Sequence, residues 1–273
     1  MSNQLKNQKD LPIGIFDSGV GGLTVVKELI KQLPHESIIY FGDTARYPYG
    51  TRSSERILAL AKHCSSILLE YGVKYIIIAC NTASSIALND LQENLDVPVI
   101  GVVKPGAAMA RERSKNKKIG IIGTSATIGS ESYQKELLAF DNSIEPIAKA
   151  CPLFVALAEE GWTEGQVPAL VAEEYLAEIR NSGVDTLILG CTHYPLLKTI
   201  IGKTMGEKVS LIDSAEAAVN ELAANLAKNN TQRDKSKSPV YRYLVSDSPD
   251  RFRQIGENFL GRTIPEVFKV ILE

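Results

Sequence analysis

Two segments of the chain set a cysteine at the end of an apolar run. Ile76-Ile77-Ile78-Ala79 leads into Cys80-Asn81-Thr82, and Leu187-Ile188-Leu189-Gly190 leads into Cys191-Thr192-His193. Each cysteine is therefore expected just past the carboxyl end of a buried strand, at or near a helix start, the edge where open α/β sheets bind ligands. Free N–H groups and the positive dipole end at a helix start favour thiolate over thiol. A thiolate can attack an electrophile. A thiol and a thiolate together can take a proton from one face of a carbon and return one to the other. A lone cysteine in such a place is usually just a small buried side chain. Here the duplication and the polar neighbours Asn81, Thr82, Thr192 and His193 favour chemistry. The remaining cysteines read as core: Cys64 on an apolar helix face, Cys151 beside Pro152-Leu153-Phe154. The absence of any C-x-x-C pair argues against a zinc knuckle or a thioredoxin-like motif.

Other residues carry weaker signals. His193, two positions after Cys191, is either an acid/base partner or a hydrogen-bonded structural histidine. Asp17-Ser18-Gly19-Val20-Gly21-Gly22 resembles a dinucleotide loop, but G-x-G-x-x-G needs a glycine where the chain has Thr24. Its glycines are expected to admit a small anion at a helix start, or simply to make a tight turn. Gly202-Lys203-Thr204 mimics the tail of a P-loop whose first glycine falls on Leu197, and is discarded. The loop from Gly42 to Arg52, with Tyr47, Tyr49 and two arginines, could close over a carboxylate or be ordinary surface. Glu159-Glu160 reads locally as a solvated helix end.

The elements that must position these residues alternate short apolar runs with amphipathic stretches, the pattern of a parallel α/β sheet. Strands are expected at Ile13–Phe16, Ile38–Phe41, Tyr75–Ala79, Val99–Val102, Ile119–Gly123, Thr186–Leu189, Val209–Ile212, Tyr241–Val245 and Val267–Val270. Helices are expected at Leu23–Leu33, Ser54–Tyr71, Thr82–Leu91, Ser130–Leu138, Val167–Asn181 and Ala215–Lys228, with another opened by Ser248-Pro249. In Ser54–Tyr71, residues Ile57, Leu60, Ala61, Cys64, Ile67 and Leu68 recur at helical spacing. Asn229–Ser238 is polar and linker-like.

The chain also repeats itself. Ile13–Ser18, Ile76–Thr82 and Val97–Gly101 are echoed in order by Ile119–Thr124, Leu187–His193 and Val209–Asp213, at offsets of 106, 111 and 112 residues. The reading is two pseudo-symmetric α/β lobes with parallel sheets and a cleft between them, each lobe contributing one cysteine. Residues 1–98 plus 209–273 are assigned to the first lobe and 99–208 to the second.

With 273 residues, 44% of them hydrophobic and 23% charged, the composition is that of an ordinary globular protein. A net charge of −2 provides no overall attraction to nucleic acid or anionic membrane. No apolar run reaches the roughly 18–20 residues that span a bilayer. The polar stretch from Met1 to Asp10 lacks the apolar core of a signal peptide, so a cytoplasmic location is expected.

Five segments resemble the glutamate racemases of bacterial cell-wall synthesis. They are Gly14–Gly22, Tyr40–Asp43, Tyr47–Gly50, Ala79-Cys80-Asn81-Thr82-Ala83-Ser84 and Gly190-Cys191-Thr192-His193-Tyr194-Pro195, with Ile212-Asp213-Ser214 as a closing element. The resemblance implies a cofactor-independent enzyme, without pyridoxal phosphate, metal or nucleotide, that interconverts L- and D-glutamate and supplies the D-form for peptidoglycan. It implies Cys80 and Cys191 as acid/base residues on opposite faces of the α-carbon, assisted by Asp17, Glu159 and His193. It further implies that Asp17, Ser18, Tyr49, Gly50, Asn81, Thr82, Thr192 and His193 hold the substrate's amino and carboxylate groups, and that homodimers are common. No nucleic-acid or membrane partner is expected. Rival readings are a racemase of another acidic amino acid such as aspartate, a non-catalytic α/β protein binding a small acid, and a cysteine hydrolase using His193. The last leaves the second cysteine unexplained.

Overall fold

A strand buried on both faces needs a continuous apolar run, and burying each such side chain stabilises the fold by about 1.5–3 kcal/mol. The runs read from the sequence form the central strands of two sheets. The structure, a computed structural model, describes residues 8–272. The start of the N-terminal stretch examined for a signal peptide therefore lies outside the described residues.

The first half of the chain runs β1 (Ile13–Asp17), α1 (Leu23–Gln32), β2 (Ile38–Gly42), α2 (Ser54–Glu70), β3 (Tyr75–Ile78), α3 (Asn81–Asn94) and β4 (Val99–Gly101). The second begins with α4 (Val103–Arg113), β5 (Lys118–Gly123), α5 (Ser125–Gly129), α6 (Ser132–Phe140), β6 (Glu145–Ala150) and α7 (Leu153–Glu159). It continues through α8 (Gln166–Asn181), β7 (Thr186–Gly190), a 3-10 turn (Tyr194–Leu197), α9 (Lys198–Met205) and β8 (Ser210–Asp213). α10 (Ser214–Lys228), β9 (Tyr241–Val245), α11 (Pro249–Leu260) and β10 (Val267–Lys269) complete the chain.

Among the described residues, all pairings between strands are parallel. The six-stranded sheet has the order β10-β9-β2-β1-β3-β4, and the four-stranded sheet β6-β5-β7-β8. The sequence repeats thus fall on β1/β5, β3/β7 and β4/β8, which occupy equivalent places. Ile13 lies opposite Ile38 and Tyr75, just as Ile119 lies opposite Pro146 and Thr186. The two-lobe α/β reading holds.

Its boundaries shift. Val99–Gly101 pairs with β3 and so belongs to the first sheet, whereas Ser210–Asp213 pairs with β7 and belongs to the second. The chain crosses between β4 and α4, and returns between β8 and α10. α4 packs on α6, β7 and β8, while α10 bridges α1 and α4. An apolar run signals a strand but not which sheet it joins.

β6 is absent from the sequence reading because it is a partly exposed edge strand carrying Pro146 and Lys149, without the apolar run of a central strand. α2 is as expected. Ser53 caps it by accepting from Arg56 N at 3.4 Å, and the predicted apolar face, Cys64 included, is buried. Among the described residues, no helix is long and apolar enough to cross a membrane.

Candidate active site

Both cysteines end central strands on the same side of their sheets, and the two strand ends line one cavity of about 350 Å³. That volume is at the small end of small-molecule sites. Ser18, Tyr49, Gly50, Asn81, Thr82, Thr192, His193 and Glu159 line it with Cys80 and Cys191. Of the expected site residues, only Asp17 is not part of this lining. It is fully buried, and its Oδ2 accepts from Gly19 N at 3.1 Å. Burial pushes the Asp17 carboxyl upward, against the charge on His193 and the neighbouring backbone N–H groups.

Cys80 caps α3 with extended backbone geometry, and its carbonyl accepts from Ser84 N at 2.8 Å. Its sulfur lies 3.8 Å from Ser18 Oγ. A helix start alone would favour the thiolate, but burial and the negative charge of Asp17 prevail over the Ala83 N–H and Ser18. The thiol is pushed up to about 12.

Cys191 departs from the expected helix start. β7 gives way to a turn and then to the short 3-10 turn at Tyr194–Leu197, with His193 at its cap. A side chain rather than a helix attends this sulfur. His193 Nδ1 lies 3.8 Å from Cys191 Sγ, and Nε2 lies 3.0 Å from Glu159 Oε1. Burial opposes a charge on His193, yet the hydrogen bonds to Cys191 and Glu159 outweigh it and raise the imidazole to about 10. Glu159, which read as a solvated helix end, is drawn from the end of α7 to this ring. Burial would raise its carboxyl, but His193 and Tyr47 hold it below the usual range.

Close packing between the lobes requires one glycine of the first loop. A Cβ on Gly21 would meet Thr192 Oγ1 at 2.3 Å and the His193 ring at 2.6 Å. Gly21 therefore lets the start of α1 press against the cysteine loop of the other lobe, where Thr24 Oγ1 donates to Thr192 O at 3.2 Å. Gly50 plays the matching part across the cleft. Its carbonyl accepts from Ala126 N at 3.2 Å, and a Cβ there would meet Thr124 Cβ at 2.9 Å.

The cavity's polar residues are held from both lobes. Thr82 Oγ1 bonds Thr124 Oγ1 at 2.9 Å and Thr127 Oγ1 at 3.1 Å. Asn81 Oδ1 accepts from the Tyr133 hydroxyl at 2.6 Å. Tyr49 is buried, with its hydroxyl turned to Asp43 and to Cys64 Sγ at 3.5 Å, so Tyr49 has backbone rather than its phenol to offer a ligand.

Thr124 and Ser125 line the cavity and were not read from the sequence. The internal repeat held the signal, since Thr124 follows β5 as Ser18 follows β1. Pro152, Val155 and Ala156 of the α7 segment form an apolar wall that no local pattern marks. The arrangement as a whole offers two thiols, each with its own polar attendants, to one small polar ligand.

Known proteins resemble this chain closely. Residues 13–222 match the family model described as Asp/Glu/Hydantoin racemase. A glutamate racemase of Geobacter metallireducens is 49% identical over 261 residues, covering 96% of this chain and 97% of that protein. The crystal structure of a glutamate racemase isoform from Bacillus anthracis matches with a TM-score of 0.93 and 41% identity, over 97% of this chain and 98% of that one. A Francisella tularensis glutamate racemase, solved in complex with D-glutamate, matches with a TM-score of 0.90 and 42% identity at the same coverage. With its two duplicated lobes and its paired strand-end cysteines, the chain belongs to the aspartate/glutamate/hydantoin racemase family.

Proposed function

We propose that this chain is a glutamate racemase that uses Cys80 and Cys191 as two bases and supplies D-glutamate for peptidoglycan. The observation that carries the reading is that equivalent strand ends of two related lobes bring one thiol each to a single cavity. Inverting a stereocentre requires a base on one face and an acid on the other. By family resemblance, Cys191 takes the α-proton of L-glutamate as a thiolate while Cys80 delivers its thiol proton to the opposite face. The roles exchange for D-glutamate.

The surroundings suit this division. Burial and Asp17 keep Cys80 protonated, as a donor must be. His193, charged and bonded to Glu159, offers Cys191 a positive partner while that sulfur is a thiolate. By the same resemblance Thr82, Asn81, Thr192 and the backbone at Gly50, all in the cavity lining, hold the substrate's charged groups. Donors fixed in advance can also stabilise the charge that develops on the α-carboxylate as the proton leaves.

The reading carries with it a small-molecule partner, no nucleic acid or membrane, a cytoplasmic location and a homodimer, which sedimentation would test. The decisive experiment is circular dichroism of L-glutamate after adding purified protein without cofactor. The signal should decay to zero, with L-aspartate far slower. Unchanged glutamate rotation, or equal rates on both amino acids, would overturn the assignment.

A further inference from the structure

Residues 43–53 contain no helix or strand, yet they carry Tyr47, Tyr49 and Gly50 of the cavity wall. With no ladder and few backbone bonds, such as Asp43 N to Asp17 O at 3.0 Å and Ala126 N to Gly50 O at 3.2 Å, such a segment depends on side-chain bonds and packing for its shape. Asp43, at its start, is fully buried and is not part of the cavity lining. Its carboxylate accepts from Arg46 Nε at 2.8 Å on both oxygens, from Ser246 Oγ at 3.0 Å and from the Tyr49 hydroxyl. An ionised carboxylate is acceptor-only, so the polarity of each bond is fixed.

Ser246 completes the arrangement from elsewhere in the chain. Its hydroxyl donates to Asp43 and accepts from Ala45 N at 2.8 Å, and its own N–H donates to Gly42 O at 3.1 Å. Beside it, Asp247 N donates to Thr44 Oγ1 at 2.8 Å. Ser246 and Asp247 follow β9, beyond the residues 13–222 that match the family model.

We propose that Asp43 and Ser246 form a clasp that positions the Tyr47–Gly50 wall, so that the C-terminal segment sets substrate affinity. Both are positioning residues that act through the loop and do not touch substrate. The proposal rests on the glutamate racemase reading for its kinetic part. Tyr49 is the link: its hydroxyl is tied to Asp43, which places the Tyr49–Gly50 backbone against Thr124 and the cavity.

The test compares Ser246→Ala, Ser246→Thr and wild type by steady-state racemisation and by amide hydrogen exchange. Ser246→Ala removes the Asp43 and Ala45 bonds but leaves the charges in place. It should raise KM for glutamate roughly fivefold to fiftyfold with kcat within about threefold. Exchange should quicken across residues 44–51 while the central strands keep their protection. Ser246→Thr, which keeps the hydroxyl, should restore both readouts, and Asp43→Asn should exceed the effect of Ser246→Ala. Unchanged exchange at 44–51 in Ser246→Ala would overturn the clasp, as would a Ser246→Thr protein that behaves like the alanine variant. A change confined to kcat would also overturn it. Should wild type fail to racemise glutamate, the functional reading falls, and the exchange data alone decide on the clasp.

Discussion

His193 stands between two acceptors, with Nε2 3.0 Å from Glu159 Oε1 and Nδ1 3.8 Å from Cys191 Sγ. Neutral imidazole has one N–H, whereas imidazolium has two, so this pair of neighbours favours the charged ring. The ring is buried, which alone would push it the other way, and the bonds prevail.

A pH dependence of stability follows. The folded-state pKa of His193 is about 10, above the roughly 6.5 of an unfolded chain. Its contribution is full below about pH 6.5 and is lost as pH rises through about 10. In thermal melts, wild type should lose stability over that window, and Glu159→Gln should lose less, at lower pH. Glu159→Gln should also lower kcat by about tenfold to a hundredfold. Parallel melting curves for the two proteins across pH 6.5–10 would mean that Glu159 does not hold an imidazolium.

The four cysteines should separate into two classes. Cys80→Ala and Cys191→Ala should each lose about 10²–10⁴ in rate. The loss must be equal in both directions, because the enantiomers have equal free energy in water and kcat/KM is therefore the same both ways. Cys64 and Cys151 are fully buried. Replacing either with alanine should cost about 1 kcal/mol of stability and leave turnover per folded molecule intact. A folded, fully active Cys80→Ala enzyme would exclude the two-thiol scheme.

Gly21→Ala tests the contact between lobes. The new methyl would fall 2.3 Å from Thr192 Oγ1, so the cysteine loop or α1 must shift. A cost of about 1–3 kcal/mol is expected, with a loss of kcat as His193 moves. Gly129→Ala is the control: it lies in α5 with nothing within 4 Å of the added carbon. It should be neutral or stabilising by up to about 1 kcal/mol. Similar melting temperatures for the two variants would deny Gly21 its role at the contact.

Deuterated water should report on the two faces separately. If Cys191 removes the α-proton of L-glutamate and Cys80 delivers a solvent deuteron, early D-product is labelled at the α-carbon and the remaining L-substrate is not. Proton NMR, split by enantiomer, follows both pools. Early labelling of the L-pool, or unlabelled D-product, would point to a single base that both takes and returns the proton.

Features that depend on neighbouring residues were legible along the chain. Apolar runs marked the central strands, helical spacing marked α2, and the cysteines followed their strands closely enough to be placed at the sheet edge. The repeat then made Cys80 and Cys191 counterparts. Tertiary structure decided what depends on residues far apart in the chain. Glu159 and His193 are 34 positions apart, Thr82 and Thr124 are 42, and Asp43 and Ser246 are 203. No local pattern encodes those meetings, since polar side chains have no periodicity to announce a partner. The assignment of β4 and β8 to sheets, the edge strand β6 and the turn after Cys191 were likewise decided by packing. So was the protonation of Cys80, where burial and the charge of Asp17 outweigh the helix-start effect that local sequence could suggest.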